Sequence, residues 1–333
     1  MSIKKVANIA GVSIATVSRF FNNPNQVSKQ TREKVEAAIK RINYTPNALA
    51  QNLRRGKTGL VIAVSPHITS PLYEDIIQQL NQSAKNNSYN LLVKEAGFNS
   101  LPLSYYEQMI RCKQADGFVL LVGLPEHEQD IDMDVSLPIV LACEPHQLSA
   151  GRPSLPCITI DHKQATQEAT DYLIHLGHQA IAFIASDHDP LTVREQQSGF
   201  QKSMLESKLS LFGRLLSNQQ DNLSIERKLH RLLDTQSRPT AIICADDETA
   251  METLHHIKSL GLKVPGDISL IGFSNIRYAE MTDPPLTTID CPMDIIGNIA
   301  MQHLLELIDG KSVTRHLPTL EHSLIIRNST RRI

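Results

Sequence analysis

The stretch GVSIATVSRFFNNP, residues 11–24, decides how the start of this 333-residue chain folds. It is rich in valine, isoleucine, threonine and phenylalanine, which by propensity suit a strand. The spacing favours a helix instead, because Val17, Phe20 and Phe21 recur at intervals of three and four residues. Ser13 is a good N-cap residue at the start of this pattern. The stretch therefore predicts a helix whose β-branched residues serve packing and contact.

The residues before this helix predict a second helix joined to it by a short turn. Val6, Ala7 and Ala10 share one helical face, and Gly11 can adopt the positive φ that closes a tight turn. Small Ala7 lets the two helices approach each other. A third helix is predicted within residues 28–44, with Val35, Ala38, Ile39 and Ile42 on one face. The head of the chain is therefore predicted to be a small all-α helix-turn-helix.

The outward face of the second helix predicts contact with DNA, because in a helix-turn-helix this helix lies in the major groove. Arg19 can bond bidentately to guanine, and Ile14 and Ala15 can touch a thymine methyl group. Ser13, Thr16 and Asn22 suit phosphate oxygens. The predicted major-groove residues are Ser13, Ile14, Ala15, Thr16, Ser18, Arg19 and Asn22. Taken singly, Ile14 is also compatible with a stray exposed apolar residue and Arg19 with a solvated charge.

Charge is distributed unevenly along the chain. Residues 1–57 hold eleven lysines and arginines against two glutamates, a net charge of +9. The remaining residues hold 22 basic and 33 acidic residues, a net charge of −11. A basic head on an acidic body is typical of a nucleic-acid-binding module attached to a second domain. The alternative is a solvated basic helix surface.

The body of the chain alternates apolar runs with amphipathic stretches. Continuous apolar runs separated by helices predict parallel sheets covered on both faces, here as two α/β subdomains. Ligands in such folds bind at the carboxyl ends of the strands, in the cleft between subdomains. The runs predicted as buried strands are GLVIAVSP (59–66), YNLLVKEA (89–96), GFVLLVG (117–123), PIVLAC (138–143), CITID (157–161), AIAFIAS (180–186), AIICADD (241–247) and ISLIGFS (268–274).

The chain resembles the LacI/GalR family of bacterial transcription regulators over nearly its whole length. The resemblance rests on the head, on YLIHLGHQAIAFIAS (172–186), LKVPGDISLIGFSN (262–275) and DPPLTTID (283–290), and on the C-terminal LIIRNSTRR (324–332). It implies a periplasmic-binding-protein-like core whose chain crosses between subdomains near Asp161, Asp290 and Leu320. The expected domains are a head (1–45), a hinge helix and linker (46–58) and a core (59–333). Within the core, one subdomain takes about 59–160 and 291–320, and the other about 161–290 and 321–333.

The resemblance also implies a role for the segment PNALAQNLRRGKTG, which begins at Pro46. In the family, hinge helices from the two subunits of a dimer order on operator DNA and enter the minor groove, where a leucine wedges between base steps. Leu53 occupies that position, with Asn47, Ala48 and Gln51 as neighbours of the groove. Such a wedge unstacks bases and kinks the duplex. The alternative makes Leu53 an ordinary packing residue.

In the cleft the sequence departs from the family pattern. The effector-clamping arginine three residues before the glycine of SGF is Gln196 here, and the aspartate that usually follows GF is Ser274. A covering aromatic residue corresponds to Gln220 by a looser alignment. Leu72 and Tyr73 belong to an element after the first strand that keeps only part of the family's aromatic character. Tyr73, Asp246 and Asp247 remain plausible contacts. These departures argue against a sugar or nucleoside that is bound through a charged arginine and aspartate. They predict either a different and more neutral effector or control by a protein partner. The alternative is drift in a cleft that keeps the family ligand.

Other classes of protein receive less support from the sequence. HExxH, GxSxG and paired metal-ligand cysteines are absent, so we expect neither an enzyme nor a cofactor or metal. The Gly-Lys-Thr of residues 56–58 lacks the first glycine of a P-loop, because position 51 is glutamine. A solute-binding receptor without gene control is the alternative function, since the core alone supports it.

The expected partners are an operator in double-stranded DNA, a second copy of the chain, and an effector or partner protein bound at the core. The tail RNSTRRI lacks the heptad leucines of a tetramer-forming coiled coil, which favours a dimer. Five widely separated cysteines, no secretory signal and no apolar run of membrane-spanning length predict a cytoplasmic, nucleoid-associated protein without a membrane partner.

Overall fold

The structure is a computed structural model of the 333-residue chain. It describes residues 2–22, 24–44, 56–97, 101–125, 137–143, 155–185, 190–209, 213–216, 224–234, 238–314, 317 and 319–333. The chain divides into two compact units, Met1–Thr58 and Gly59–Ile333, which are called the head and the core below.

The head is built from three helices, as the spacing of its apolar residues predicts. These are α1 (Ile3–Ala10), α2 (Ile14–Asn22) and α3 (Lys29–Ile42), with a short 3₁₀ turn at Pro24–Gln26. Val6, Val17 and Val35, one from each helix, are fully buried at the centre. Val12, Phe20 and Phe21 pack around them, half-buried. The prediction of a helix rather than a strand at residues 14–22 is therefore confirmed.

Gly11 makes the tight turn between the first two helices. Its φ is 65°, in the left-handed region that favours glycine. The turn is closed by the Val12 amide, which donates to the Ala7 carbonyl oxygen at 3.0 Å. The turn brings α1 and α2 together, and Ala7 is buried in the small core of the head.

The first half of the core is a five-stranded parallel sheet with strand order β2-β1-β3-β4-β5. Helices cover both of its faces, with apolar clusters between sheet and helices. This is called the first subdomain below. Its elements are β1 (Leu60–Ser65), α4 (Glu74–Asn86), β2 (Asn90–Glu95), α5 (Leu103–Arg111), β3 (Gly117–Leu120), β4 (Ile139–Ala142), β5 (Cys157–Ile158) and, later in the chain, α10 (Met293–Ile308).

The second half of the core, called the second subdomain below, is a six-stranded sheet with strand order β11-β10-β9-β8-β6-β7. Apolar clusters again lie on both faces. Its elements are α6 (His162–His175), β6 (Ile181–Ile184), α7 (Pro190–Glu206), β7 (Arg214–Leu216), α8 (Ile225–Leu233), β8 (Ala241–Cys244), α9 (Asp247–Ser259), β9 (Ser269–Ser274), β10 (Thr287–Asp290) and β11 (Ser323–Ile325).

All eight predicted apolar runs contain strands, but the expectation that all of them are buried is wrong for β2. This strand lies at the edge of the first sheet, and its Leu92 is 46% exposed. Three strands were not predicted from hydrophobic runs. β7 and β11 are only three residues long, and β11 runs antiparallel to β10. β10 contains two threonines, so it does not stand out as an apolar run. The Thr288 hydroxyl is instead satisfied by a hydrogen bond to Asp247.

Among the residues that the structure describes, the chain passes from one sheet to the other in three places. β5 ends at Ile158 before α6 begins at His162, and β10 ends at Asp290 before α10 begins at Met293. The third passage is marked by an isolated parallel bridge between Ile160 and Leu320. In the part of the chain that the structure describes, no helix is long and apolar enough to cross a membrane.

Candidate nucleic-acid interface and effector cleft

One face of α2 is left open by the packing of the head. Val17 is the buried residue among the described side chains of the helix, and the opposite face carries Ile14, Ala15 and Arg19, all exposed. Ile14 is 39% exposed, which is unusual for an isoleucine. Ser18 and Thr16 are half-buried at the edges of this face. A cation beside small and apolar side chains on an open helix face can read guanine and thymine edges in a major groove.

Ser13 has a structural role that accounts for the start of α2. Its hydroxyl oxygen accepts from the Thr16 amide at 3.1 Å and lies 2.9 Å from the Thr16 hydroxyl. This is an N-cap, which satisfies one of the amides that a helix leaves unpaired at its first turn. The α2 N-terminus, the part of a recognition helix that meets the bases, is therefore locally ordered.

Two groups of predicted DNA contacts lie outside what the structure describes. Asn22 ends α2, but its side chain is outside the described part. The hinge residues Asn47, Ala48, Gln51 and Leu53 fall within 45–55, which also lies outside it.

A small cavity lies between the two subdomains of the core, with a volume of about 60 Å³. It lies beyond the carboxyl ends of β8 and β9, where an α/β fold places ligands. Five of the seven cleft residues predicted from the sequence line it, namely Leu72, Tyr73, Gln196, Asp246 and Ser274. Gln220 lies outside the described residues, and Asp247 does not line the cavity but is fully buried in the core.

Gln196 reaches the cavity from α7 and is 1% exposed. Its Nε2 donates to the Ala245 carbonyl oxygen at 3.0 Å. Its Oε1 is buried without a hydrogen-bond partner among the described residues. An unpaired buried acceptor costs about 1–3 kcal/mol. Arg194, two residues earlier, is exposed and does not line the cavity.

Ser274 lines the cavity from an unusual backbone conformation. Its φ is 103° and that of Asn275 is 51°, values that residues other than glycine adopt at a cost of about 1–3 kcal/mol. Hydrogen bonds hold this bend in place. Asn275 Nδ2 donates to Asp290 Oδ1 at 2.7 Å, and Arg327 Nη2 donates to Asn275 Oδ1 at 2.8 Å. The bend therefore connects the cleft to Asp290, where the chain crosses between subdomains.

Asp247 supports the same bend from within the core. It is fully buried, its Oδ2 accepts from the Ile276 amide at 2.9 Å, and its Oδ1 accepts from the Thr288 hydroxyl at 2.6 Å. Burial raises the pKa of Asp247 to about 7, although both hydrogen bonds act to lower it. The approach of this carboxylate requires Gly272, because a Cβ there would lie 2.0 Å from Asp247 Oδ1.

Polar contacts also join the two walls of the cleft. The Ser70 hydroxyl, before α4, donates to Glu248 Oε2 on α9. Glu74 on α4 forms an ion pair with Arg277 of the second subdomain, with Nε and Oε2 3.3 Å apart. The His162 ring stacks on Phe273 and its Nε2 lies 3.3 Å from the carbonyl oxygen of Cys143. These contacts close the cleft around the small cavity.

Two predicted cleft residues have roles that the sequence did not predict. Tyr73 is 5% exposed and packs in the core of the first subdomain, so it is not an open aromatic surface for stacking. Asp246 caps α9, since its Oδ1 accepts from the Thr249 amide at 2.6 Å. Cavity residues that the sequence reasoning missed are Cys143, His162, Thr192, Val193, Ala245, Phe273, Cys291 and Met293. The sequence feature that could have identified them is their position directly after predicted strands or beside the places where the chain passes between the two sheets.

The adjacent carboxylates Asp246, Asp247 and Glu248 and the adjacent histidines His255 and His256 do not form a metal site in the part of the chain that the structure describes. Asp246, Asp247 and Glu248 point to separate partners: a helix end, a core network and Ser70. His255 and His256 contact each other ring to ring on α9. The pair His127-Glu128 lies outside the described residues.

Models of two known protein families match the chain. Residues 2–47 match "Bacterial regulatory proteins, lacI family", which covers all three head helices. Residues 170–330 match "Periplasmic binding protein-like domain", which covers most of the second subdomain together with α10.

Full-length relatives and a solved structure agree with these matches. The chain is 32% identical to the HTH-type transcriptional repressor CytR of Escherichia coli K12, over 99% of this chain and 96% of that repressor. It is 31% identical to catabolite control protein A of Priestia megaterium, over 99% of each chain. The crystal structure of the lac repressor dimer bound to operator and the anti-inducer ONPF superposes with a TM-score of 0.82 at 26% identity, over 99% of each chain.

Proposed function

The chain belongs to the lacI family of bacterial regulatory proteins, a family of DNA-binding transcriptional regulators, and on that basis we propose how it reads DNA and how its core controls this. Two copies bind a pseudo-palindromic operator and repress transcription in the cytoplasm. Each α2 lies in the major groove of one half-site. The observation that carries this proposal is the open face of α2, where Arg19 lies beside Ile14 and Ala15 over a buried helical core.

In this proposal some residues of α2 contact bases and others contact the phosphate backbone. Arg19 reads a guanine, and Ile14 and Ala15 contact thymine methyl groups. Ser13, Thr16 and Asn22 position the helix by contacts with the phosphate backbone. The net charge of +9 in residues 1–57 supplies the phosphate attraction, so affinity falls steeply with salt.

The hinge forms the second DNA contact in the proposal. Leu53 from each subunit wedges into the minor groove at the centre of the operator, with Asn47, Ala48 and Gln51 beside it. The wedge unstacks bases at a cost of a few kcal/mol, and the wider protein–DNA contact that the kink allows offsets this cost. The similarity to the lac repressor, whose structure is a dimer bound to operator, supports the pairing of two subunits on one DNA site.

Control comes from the cleft of the core. The two subdomains are proposed to take an open and a closed arrangement around the cleft. A ligand or protein partner that binds one arrangement more tightly shifts the population toward it. This shift changes how readily the hinge forms its helix and therefore changes the affinity for DNA. The coupling is reciprocal, so operator DNA changes the affinity for that ligand by the same factor. The contacts Ser70–Glu248 and Glu74–Arg277 support a closed state formed by the chain's own residues.

Selection of binding sites from random duplex DNA tests the proposal. We expect the full chain to enrich a sequence with two inverted half-sites, and gel shifts to show a dimer on it. A chain that shows no preference for any duplex at low ionic strength, with and without pools of cell metabolites, contradicts the proposal.

A solute-binding receptor without gene control is the second candidate. The match of residues 170–330 to a periplasmic binding protein-like domain favours it, since the core alone would serve that function. It predicts no sequence-specific DNA binding, so the same selection experiment separates the two candidates.

A further inference from the structure

The buried amide of Gln196 has one orientation. The Ala245 carbonyl oxygen can only accept a hydrogen bond, so the amide group must turn its Nε2 toward it, at 3.0 Å. The Oε1 atom then faces the other way and is left without a partner among the described residues. Gln196 is 1% exposed, so bulk water does not supply the missing donor.

The charges around the cavity also favour a ligand that donates hydrogen bonds. Its described lining contains the carboxyl group of Asp246 but neither lysine nor arginine. Other polar groups of the lining include the imidazole of His162 and the hydroxyls of Thr192 and Ser274, whereas Val193, Phe273 and Met293 are apolar. An anion here would lose its hydration without meeting a lysine or arginine, and the Nε2 of His162 already lies 3.3 Å from the Cys143 carbonyl oxygen. A group that donates hydrogen bonds would instead satisfy Oε1.

The size of the cavity limits how much of a ligand it can hold. Its volume is about 60 Å³, and an apolar cavity of about 150 Å³ is known to accept a benzene ring. In the closed state the cavity therefore has room for a group of a few heavy atoms. The rest of a larger molecule would have to lie outside the cavity.

We propose that this cavity binds the nitrogen donor group of an uncharged or positively charged effector, with Gln196 Oε1 as the acceptor, and that it rejects anions. The proposal rests on the function proposed above, because it names the chemistry of the ligand that controls the cleft. It also identifies Gln196 as the residue that selects donors at the position where a charged arginine would select acceptors.

Three probes of the same shape and of four heavy atoms test the proposal: acetamidinium, acetamide and acetate. They are a cation, a neutral amide and an anion. Saturation-transfer NMR on the methyl protons of each probe, with the full chain and no DNA, measures binding. We expect acetamidinium and acetamide to bind and to compete with each other, and acetate to give no signal that they displace.

Two variants on the same helix assign the binding to Gln196. Gln196→Leu removes the acceptor and should weaken binding of acetamidinium by about tenfold, the usual effect of leaving one buried polar group unmatched. Gln201→Leu, at an exposed position of α7, should leave binding unchanged. Calorimetry of both variants checks that the core still unfolds cooperatively. If Gln196→Leu does not fold, the order of the three probes on the unaltered chain still decides the question.

Several results would overturn the proposal. Acetate that binds as well as acetamidinium would show that the cavity does not discriminate by charge. Equal binding of acetamidinium to the two leucine variants would place it elsewhere on the acidic core. No binding of any probe would mean that Oε1 meets a trapped water only. DNA binding is not part of these measurements, so their failure is distinguishable from failure of the proposed regulator function.

Discussion

Replacing Gly199 by alanine tests how closely α6 and α7 must pack to form the cleft. A Cβ at position 199 would lie 2.1 Å from the Lys163 carbonyl oxygen and 3.2 Å from the Gln167 amide nitrogen. Both are backbone atoms of α6 and cannot rotate away. Gly199 lies one turn after Gln196, and α6 begins with His162, so the contact also sets the spacing of two cavity residues.

We expect Gly199→Ala to destabilise the core by about 2 kcal/mol. Overpacking against rigid atoms costs about 3 kcal/mol, while the higher helix propensity of alanine returns about 1 kcal/mol. For a unit of this size, that loss lowers the midpoint of thermal unfolding by roughly 4–8 °C. Scanning calorimetry of the full chain measures it.

Gly213→Ala is the matched control. Its Cβ would make only ordinary contact, 3.5 Å from the flexible Met204 side chain, so its stability should change by less than about 1 kcal/mol. If the two variants unfold at the same temperature, the close approach of α6 and α7 at Gly199 is not a constraint and this reasoning is wrong.

Four further predictions concern DNA, pH and ligands. Arg19→Ala should weaken operator binding by about 1–3 kcal/mol and relax specificity at one base pair in a selection assay; an equal loss on every sequence would make Arg19 a phosphate contact. Leu53→Ala should reduce DNA bending in a permutation assay, and unchanged bending would refute the wedge. Because burial raises the pKa of Asp247 from 3.8 to about 7, the stability it contributes is present at low pH and is lost as the pH rises through this window, by about 1.4 kcal/mol per pH unit; urea titrations should show this slope, and Asp247→Asn should flatten it. Calorimetry should detect weak or no binding of ordinary sugars, and micromolar binding of one would contradict the interpretation of Gln196 and Ser274.

The elements that the sequence predicts best are those with strong local periodicity. The three- and four-residue spacing of Val17, Phe20 and Phe21 identified α2 against strand propensity, and burial of Val17 confirms it. The apolar runs located most strands for the same reason, since buried parallel strands are continuous in hydrophobicity. β10 was missed because its threonines are polar, and their burial depends on hydrogen-bond partners that are distant in the sequence, such as Asp247.

In the cleft too, the sequence predicted some residues and missed others. Motif spacing selected Gln196, Asp246 and Ser274, and all three line one cavity. It did not predict that Tyr73 packs into the core or that Cys143 and Met293 reach the cavity. Those positions depend on how two separately formed sheets meet, which no local pattern encodes.

By itself the sequence determined the class of the fold and the likeness to a DNA-reading head on an α/β core, because helical spacing, apolar runs and charge are local properties of the chain. Only the tertiary structure decided the size of the cavity, the unpaired oxygen of Gln196 and the buried carboxylate of Asp247. These depend on atoms that are distant in sequence and become neighbours when the chain packs, and burial then sets their hydrogen bonding and their pKa.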